Sequence, residues 1–268
     1  MRAIAIIPAR YASTRFPGKP LALLGGRPIV EHVWRAVAQM DAVSEALVAT
    51  DDERIAACVD GCAGRTAAML TGSQHRSGTD RCAEVLRRLQ ERGERYDVLV
   101  NVQGDEPFVD PQQIADLVGC FDDPQTEIAT LATPIRSSEE QLNPNNVKVV
   151  CDERGRALYF SRAAIPTMRD ATAEEAVAAG LCMKHVGIYA YRAETLLRIA
   201  TLPQTALEQA EKLEQLRWLG HGCSIAVRRT EHANIGIVTP EDLQAAEAEW
   251  RKHHGESARP AAERTKQE

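Results

Sequence analysis

Short apolar runs alternate with amphipathic stretches over roughly the first 120 residues, and no other feature constrains the fold as tightly. Ala3–Ile7 is a β-branched run that reads as a strand. Residues 28–40 carry Ile29, Val33, Ala36, Val37 and Met40 on one helical stripe. Ala46–Ala49 reads as a second strand and Val98–Val102 as a strong third, with helices expected over 52–60 and 79–92. Asp110-Pro111 has the form of an N-cap followed by proline at the first helical position. Apolar strands separated by amphipathic helices are buried on both faces, which calls for a mostly parallel sheet with helices on both sides. The expected class is α/β.

The pattern changes over 126–200. Strand-like runs at 127–132, 146–151, 157–160 and 185–191 come with few long helices. They are expected to form a smaller sheet inserted as a dimerisation or substrate-covering lobe. A late helix is expected over 205–219, where Thr205 and Glu208 have capping-box spacing and Glu208 and Lys212 lie four apart. Thr239-Pro240-Glu241-Asp242 starts a final helix, and the polar residues 253–268 read as a disordered tail. Residues 1–252 are thus expected to form a single α/β domain.

Charge limits the function. The chain has 32 basic and 38 acidic side chains, a formal charge of −6. A general nucleic-acid binder usually carries a basic excess, so nucleic acid is not an expected partner. A local anion site remains open, because net charge does not report clustering. No apolar run approaches the ~18 residues of a membrane helix, so no membrane partner is expected. Seven cysteines, an odd number without a C-x-x-C pair, read as reduced thiols in the cytoplasm. Cys58 and Cys62 sit one helical turn apart with no matching pair to complete a zinc site.

Two segments carry the chemistry. Pro8-Ala9-Arg10-Tyr11-Ala12-Ser13-Thr14-Arg15-Phe16-Pro17-Gly18-Lys19-Pro20-Leu21 follows the first strand. Ligands of open α/β sheets bind beyond the carboxyl ends of strands. Arg10, Arg15 and Lys19 lie there among small residues that let backbone N–H groups approach an anion. Two guanidiniums and an ammonium suit a polyphosphate; the alternative is an ordinary solvated basic loop. The run is neither a Walker loop nor G-x-G-x-x-G. In the second segment, Val98–Val102 ends in Gln103-Gly104-Asp105-Glu106-Pro107. Asp105 at a strand end can hold magnesium against phosphate oxygens, or Gly-Asp before proline can be a plain turn.

Together with Ser-Gly-Thr-Asp-Arg (77–81), Ala-Leu-Tyr-Phe-Ser-Arg (157–162), Lys-His-Val-Gly-Ile-Tyr-Ala-Tyr (184–191) and Leu-Glu-Gln-Leu-Arg (213–217), these segments resemble, in order, the signature of the 3-deoxy-manno-octulosonate cytidylyltransferase (CMP-Kdo synthetase) family. The resemblance covers about residues 3–250. It implies a Rossmann-like nucleotide-sugar transferase fold and a homodimer. The implied reaction joins Kdo, an eight-carbon 2-keto sugar acid of lipopolysaccharide, to CMP from CTP with release of pyrophosphate. It also implies roles. Arg10, Ser13, Arg15 and Lys19 would grip the CTP phosphates. The Ser77-Gly78-Thr79-Asp80 turn would contact the cytidine, and Arg76 beside it is placed in the same nucleotide site. Asp105 would bind Mg2+. Gln103, Arg169, His185, Tyr189, Glu208, Glu211 and Gln215 would form the Kdo pocket. On the residues alone, Glu208 reads first as a cap, Glu211 and Gln215 as solvated helix positions, and His185 and Tyr189 as core side chains.

The chain departs from the family in places. Val238, in Ile237-Val238-Thr239-Pro240-Glu241-Asp242-Leu243, stands where the family has a second metal-ligand aspartate. Glu241 and Asp242 are read as serving the helix N-terminus. Gly72 and Arg76 replace arginine and glutamine, and Thr167 an aromatic residue. The alternatives these raise are an enzyme for 8-amino-Kdo or a nonulosonate, or a catalytically weakened CTP- or CMP-sugar-binding protein.

Overall fold

The computed structural model describes residues 1–12, 15–232 and 236–254. The chain runs β1 (Ala3–Pro8), β2 (Leu23–Leu24), β3 (Arg27–Pro28), α1 (Ile29–Ala38), β4 (Glu45–Thr50), α2 (Glu53–Ala63), β5 (Ala68–Leu70), α3 (Gly78–Glu91), β6 (Val98–Asn101) and α4 (Pro111–Gly119). It continues through β7 (Ile128–Pro134), α5 (Ser138–Leu142), β8 (Lys148–Cys151), β9 (Ala157–Ser161), α6 (Ala173–Ala178), β10 (Met183–Arg192) and α7 (Ala193–Ile199). It closes with α8 (Ala206–Glu211), α9 (Gln215–Gly220), β11 (Ile225–Arg229) and α10 (Pro240–His254). This is a mixed α/β fold with strands flanked by helices, as the alternation requires.

The chain forms two compact units. One contains residues 4–85, 101–111 and, of the C-terminal segment, the described residues 236–254. Here β1, β4 and β5 lie parallel, with Ile6 opposite Leu47 and Ala49 opposite Met69. Ile4, Ala5, Ile6 and Ile7 are wholly buried, which is why β1 lacks polar alternation. α2 starts where the Asp52 carboxylate accepts the Arg54 N–H at 2.9 Å, and stops at Gly64 with φ 66°.

The other unit contains, of the described residues, 1–3, 86–100 and 112–232. The expected 126–200 lobe lies wholly inside it. β10 runs antiparallel to β7, and β11 parallel to β7. β8 and β9 form an antiparallel pair beside β10. In β10 the register moves from Val186 opposite Leu131 to Tyr189 opposite Thr130, so Gly187 and Ile188 form a bulge. His185 and Tyr189 stay on one face, their rings 5.2 Å apart.

The expected helix over 205–219 is two helices. Lys212 ends α8 in the left-handed region, at φ 56° and ψ 45°, and Gln215 starts α9. The Thr205 hydroxyl does accept the Glu208 N–H, at 3.2 Å. β5 and β11 carry only short apolar runs: β5 has three residues, and β11 has three apolar residues before two arginines. Apart from the end of α10, the expected tail lies outside the described residues, at 255–268.

Candidate active site

β1 ends at Pro8, and the cations gather in the loop that follows. Arg10, Arg15 and Lys19 line a cavity of about 260 Å³ together with Arg76, Ser77, Gly78, Gln103 and Asp105. All belong to the unit built on β1, β4 and β5. The segments expected at the end of the first strand and after Val98–Val102 therefore meet. Ser13 lies outside the described residues. Thr79 and Asp80 occupy the first turn of α3, where Thr79 is buried and Asp80 half-buried. The Ser77 hydroxyl accepts the Asp80 N–H at 3.1 Å. α3 thus starts at the cavity wall, and a helix N-terminus carries a positive field and unpaired N–H groups suited to an anion.

Two glycines make this closeness possible. A Cβ on Gly78 would sit 3.0 Å from Pro8 Cγ and 3.2 Å from Gln103 Nε2. One on Gly104 would sit 3.0 Å from the Pro8 carbonyl oxygen and 3.1 Å from Ala9 Cβ. At the far end of the loop, Gly18 takes φ 72° and its N–H donates to the Tyr11 carbonyl at 3.0 Å. That turn leads into a single 3-10 turn, Lys19–Leu21, which presents Lys19. The Arg54 guanidinium stacks 3.6 Å over the Tyr11 ring.

Lys19 Nζ donates to Asp105 Oδ2, with the side chains 13% and 26% exposed. The Asp105 carbonyl accepts the Ile237 N–H at 2.9 Å. Val238 is therefore tethered one residue from the contact, as an aliphatic side chain. Asp242 is occupied elsewhere: its Oδ2 accepts the Val238 and Thr239 N–H groups at 2.9 and 2.8 Å, capping α10. Among the described residues no cluster of three His, Cys, Asp or Glu side chains is arranged to hold a metal. Magnesium keeps several waters and takes one or two carboxylates plus substrate phosphates. A single carboxylate, Asp105, on a basic cavity fits that pattern.

His75 and Arg81 also line the cavity, although sequence reasoning assigned them no role. His75 bonds to Glu84, which accepts the Gly72 N–H at 3.0 Å. Arg81 is almost wholly buried, bonds to Thr71 and pairs with Asp51 at 3.3 Å. The available signal was helical spacing, since Arg81 lies one turn into α3, three residues after Gly78.

The remaining pocket candidates, apart from Gln103, lie in the other unit. His185 Nε2 is 3.0 Å from the Thr130 hydroxyl, and burial pushes its pKa down to about 3. Tyr189 is buried against His185, Tyr191 and Trp218. Burial raises its phenol well above the ordinary range. Tyr189 Oη and Trp218 Nε1 are buried without a hydrogen-bond partner among the described residues. Glu208 is buried and holds Arg217 through two bonds of 2.8 and 2.6 Å. Burial raises its pKa, but the guanidinium outweighs that and holds the carboxyl below its usual range. Glu211 accepts Ser161 Oγ at 2.6 Å and the Arg162 N–H at 2.9 Å. Burial opposes the charge there too, yet these bonds hold the carboxyl low. Gln215 is buried. Arg169 is exposed, 3.6 Å from Asp170.

A family model described as cytidylyltransferase matches residues 4–225. The 3-deoxy-manno-octulosonate cytidylyltransferase of Parabacteroides distasonis is 50% identical over 250 residues, covering 92% of this chain and 97% of that protein. Its counterpart from Geobacter sulfurreducens is 48% identical over 250 residues, covering 91% and 97%. A solved CMP:2-keto-3-deoxy-manno-octonic acid synthetase complexed with CTP superposes with a TM-score of 0.85 at 40% identity, covering 94% of this chain and all of that one. A 4-diphosphocytidyl-2C-methyl-D-erythritol synthase from Anaerococcus prevotii, at TM-score 0.61 and 16% identity, shares the fold. The chain belongs to the cytidylyltransferases and, within them, to the 3-deoxy-manno-octulosonate cytidylyltransferase family.

Proposed function

We propose that the protein activates Kdo with CTP, giving CMP-Kdo and pyrophosphate. The cavity carries this reading: three loop cations, a helix N-terminus and one carboxylate converge at the end of β1. The anomeric 2-hydroxyl of Kdo attacks the α-phosphorus in line with departing pyrophosphate, so catalysis is positioning plus charge neutralisation. Arg10, Arg15 and Lys19 bind the phosphate oxygens, Arg15 and Lys19 at the leaving pyrophosphate. Ser13, Arg76 and the Ser77–Asp80 turn complete the nucleotide site. Asp105, with the phosphates, is the group to hold magnesium, whose bound charge would polarise the α-phosphate. Gln103 orients the sugar from the cavity wall. His185, Tyr189, Glu208, Glu211, Gln215 and Arg169 are proposed for the Kdo pocket. The spare Tyr189 hydroxyl supports a polyol ligand there, whereas Glu208 acts by holding Arg217, and Glu211 by holding the Ser161 hydroxyl and the Arg162 N–H.

The proposed working form is a cytoplasmic homodimer. No helix among the described residues is long and apolar enough to cross a membrane. Pyrophosphate release with CTP, magnesium and Kdo is the test. Release dependent on all three is expected; CTP binding without release would sink the proposal. Val238 favours one second reading, a weakened enzyme that acts by binding CTP, and the same assay separates the two.

A further inference from the structure

The chain bonds to each other the two oppositely charged groups that the proposed reaction uses separately. Lys19 Nζ donates to Asp105 Oδ2, both side chains mostly buried. Among the described residues the Asp105 carboxylate has no other side-chain partner, and its backbone is fixed by the Ile237 N–H. Arg10, Arg15 and Arg76 line the same cavity, so it stays basic while one lysine is engaged. Removing one member of a poorly solvated pair strands the other charge, which is costly.

A divalent cation arriving alone must expel an ammonium from the carboxylate it needs. A polyphosphate arriving alone draws Lys19 away and leaves Asp105 facing its own negative charge. Arriving together, each takes one member of the broken pair. From this, and resting on the proposed function, we infer that the Lys19–Asp105 pair is a charge exchange. It blocks a divalent cation until a polyphosphate captures Lys19, and linkage makes the effect reciprocal.

The test is Mn2+ binding to the full chain, read without nucleotide by water-proton relaxation enhancement. Lys19→Gln frees Asp105 and should tighten Mn2+ binding about tenfold, the scale of one charge-assisted hydrogen bond. Lys19→Arg keeps the pair and Arg15→Gln removes the same charge without releasing Asp105, so both should stay within about twofold of wild type. Adding Asp105→Asn to Lys19→Gln should abolish the gain. Equal gains in Lys19→Gln and Arg15→Gln would overturn the exchange, because they would report general charge. So would Mn2+ that binds wild type with CTP while Lys19→Gln shows no gain without it; the proposed function would survive that result. Mn2+ that fails to bind even with CTP would overturn the metal assignment and the exchange together.

Discussion

Lys19 owes its position to its neighbours: Gly18 turns the chain at φ 72°, and Pro20 lies within the 3-10 turn that follows. If the ammonium stabilises departing pyrophosphate, Lys19→Ala should lower kcat about 10²–10³-fold, the usual loss for one preorganised transition-state donor. Steady-state pyrophosphate release checks this, and normal kinetics would remove Lys19 from the phosphate site. Val238 poses the complementary question. It sits one residue from the Ile237 N–H that binds the Asp105 carbonyl. Val238→Asp is expected to raise turnover or lower the magnesium requirement. A magnesium titration that superposes on wild type would contradict that.

The final helix α10 reaches back to the short β2–β3 hairpin. Glu247 Oε1 accepts the Gly25 N–H at 2.7 Å, and the Trp250 ring meets His32 at 4.5 Å. A Cβ on Gly25 would fall 2.2 Å from Trp250 Nε1, and φ there is already 55°. Gly25→Ala is therefore expected to destabilise the protein by about 1–3 kcal/mol, as overpacking does. Chemical denaturation measures it, and an unchanged midpoint would show that α10 does not clasp the hairpin. α8 and α9 were less legible than α10. Nothing in Glu-Lys-Leu-Glu marks Lys212 as left-handed, and a lysine there is strained unless packing imposes it. β5 was missed because it is three residues long, and β11 because its last two residues are exposed arginines.

At the scale of the molecule, a largely desolvated histidine couples folding to pH. His185 titrates at about 3 in the folded chain, against an ordinary value near 6.5. Below pH 6.5 the unfolded chain takes up a proton that the folded chain refuses, so stability falls from pH 6.5 toward pH 3. Between pH 7.5 and 5.5 this one residue should remove about 1.4 kcal/mol. Urea unfolding of wild type and His185→Gln at both values checks it, and an equal loss in both proteins would assign the pH dependence elsewhere. The formal charge of −6 also changes meaning at this scale. It argued against nucleic acid, while five cations, Arg10, Arg15, Lys19, Arg76 and Arg81, line one cavity.

The amino-acid sequence alone determined the α/β class, the strands β1, β4 and β6, and the loop and Gly-Asp turn that meet at the cavity. Those signals are local: apolar periodicity, turn chemistry and contiguous cations survive being read in one dimension. Only the tertiary structure decided which partners the polar side chains take. Glu211 meets Ser161 across 50 residues, and Lys19 meets Asp105 across 86. The choice between a solvated charge, a core group and a site residue depends on burial and on the partner within bonding distance. Both arise when distant segments pack, and no local pattern encodes them.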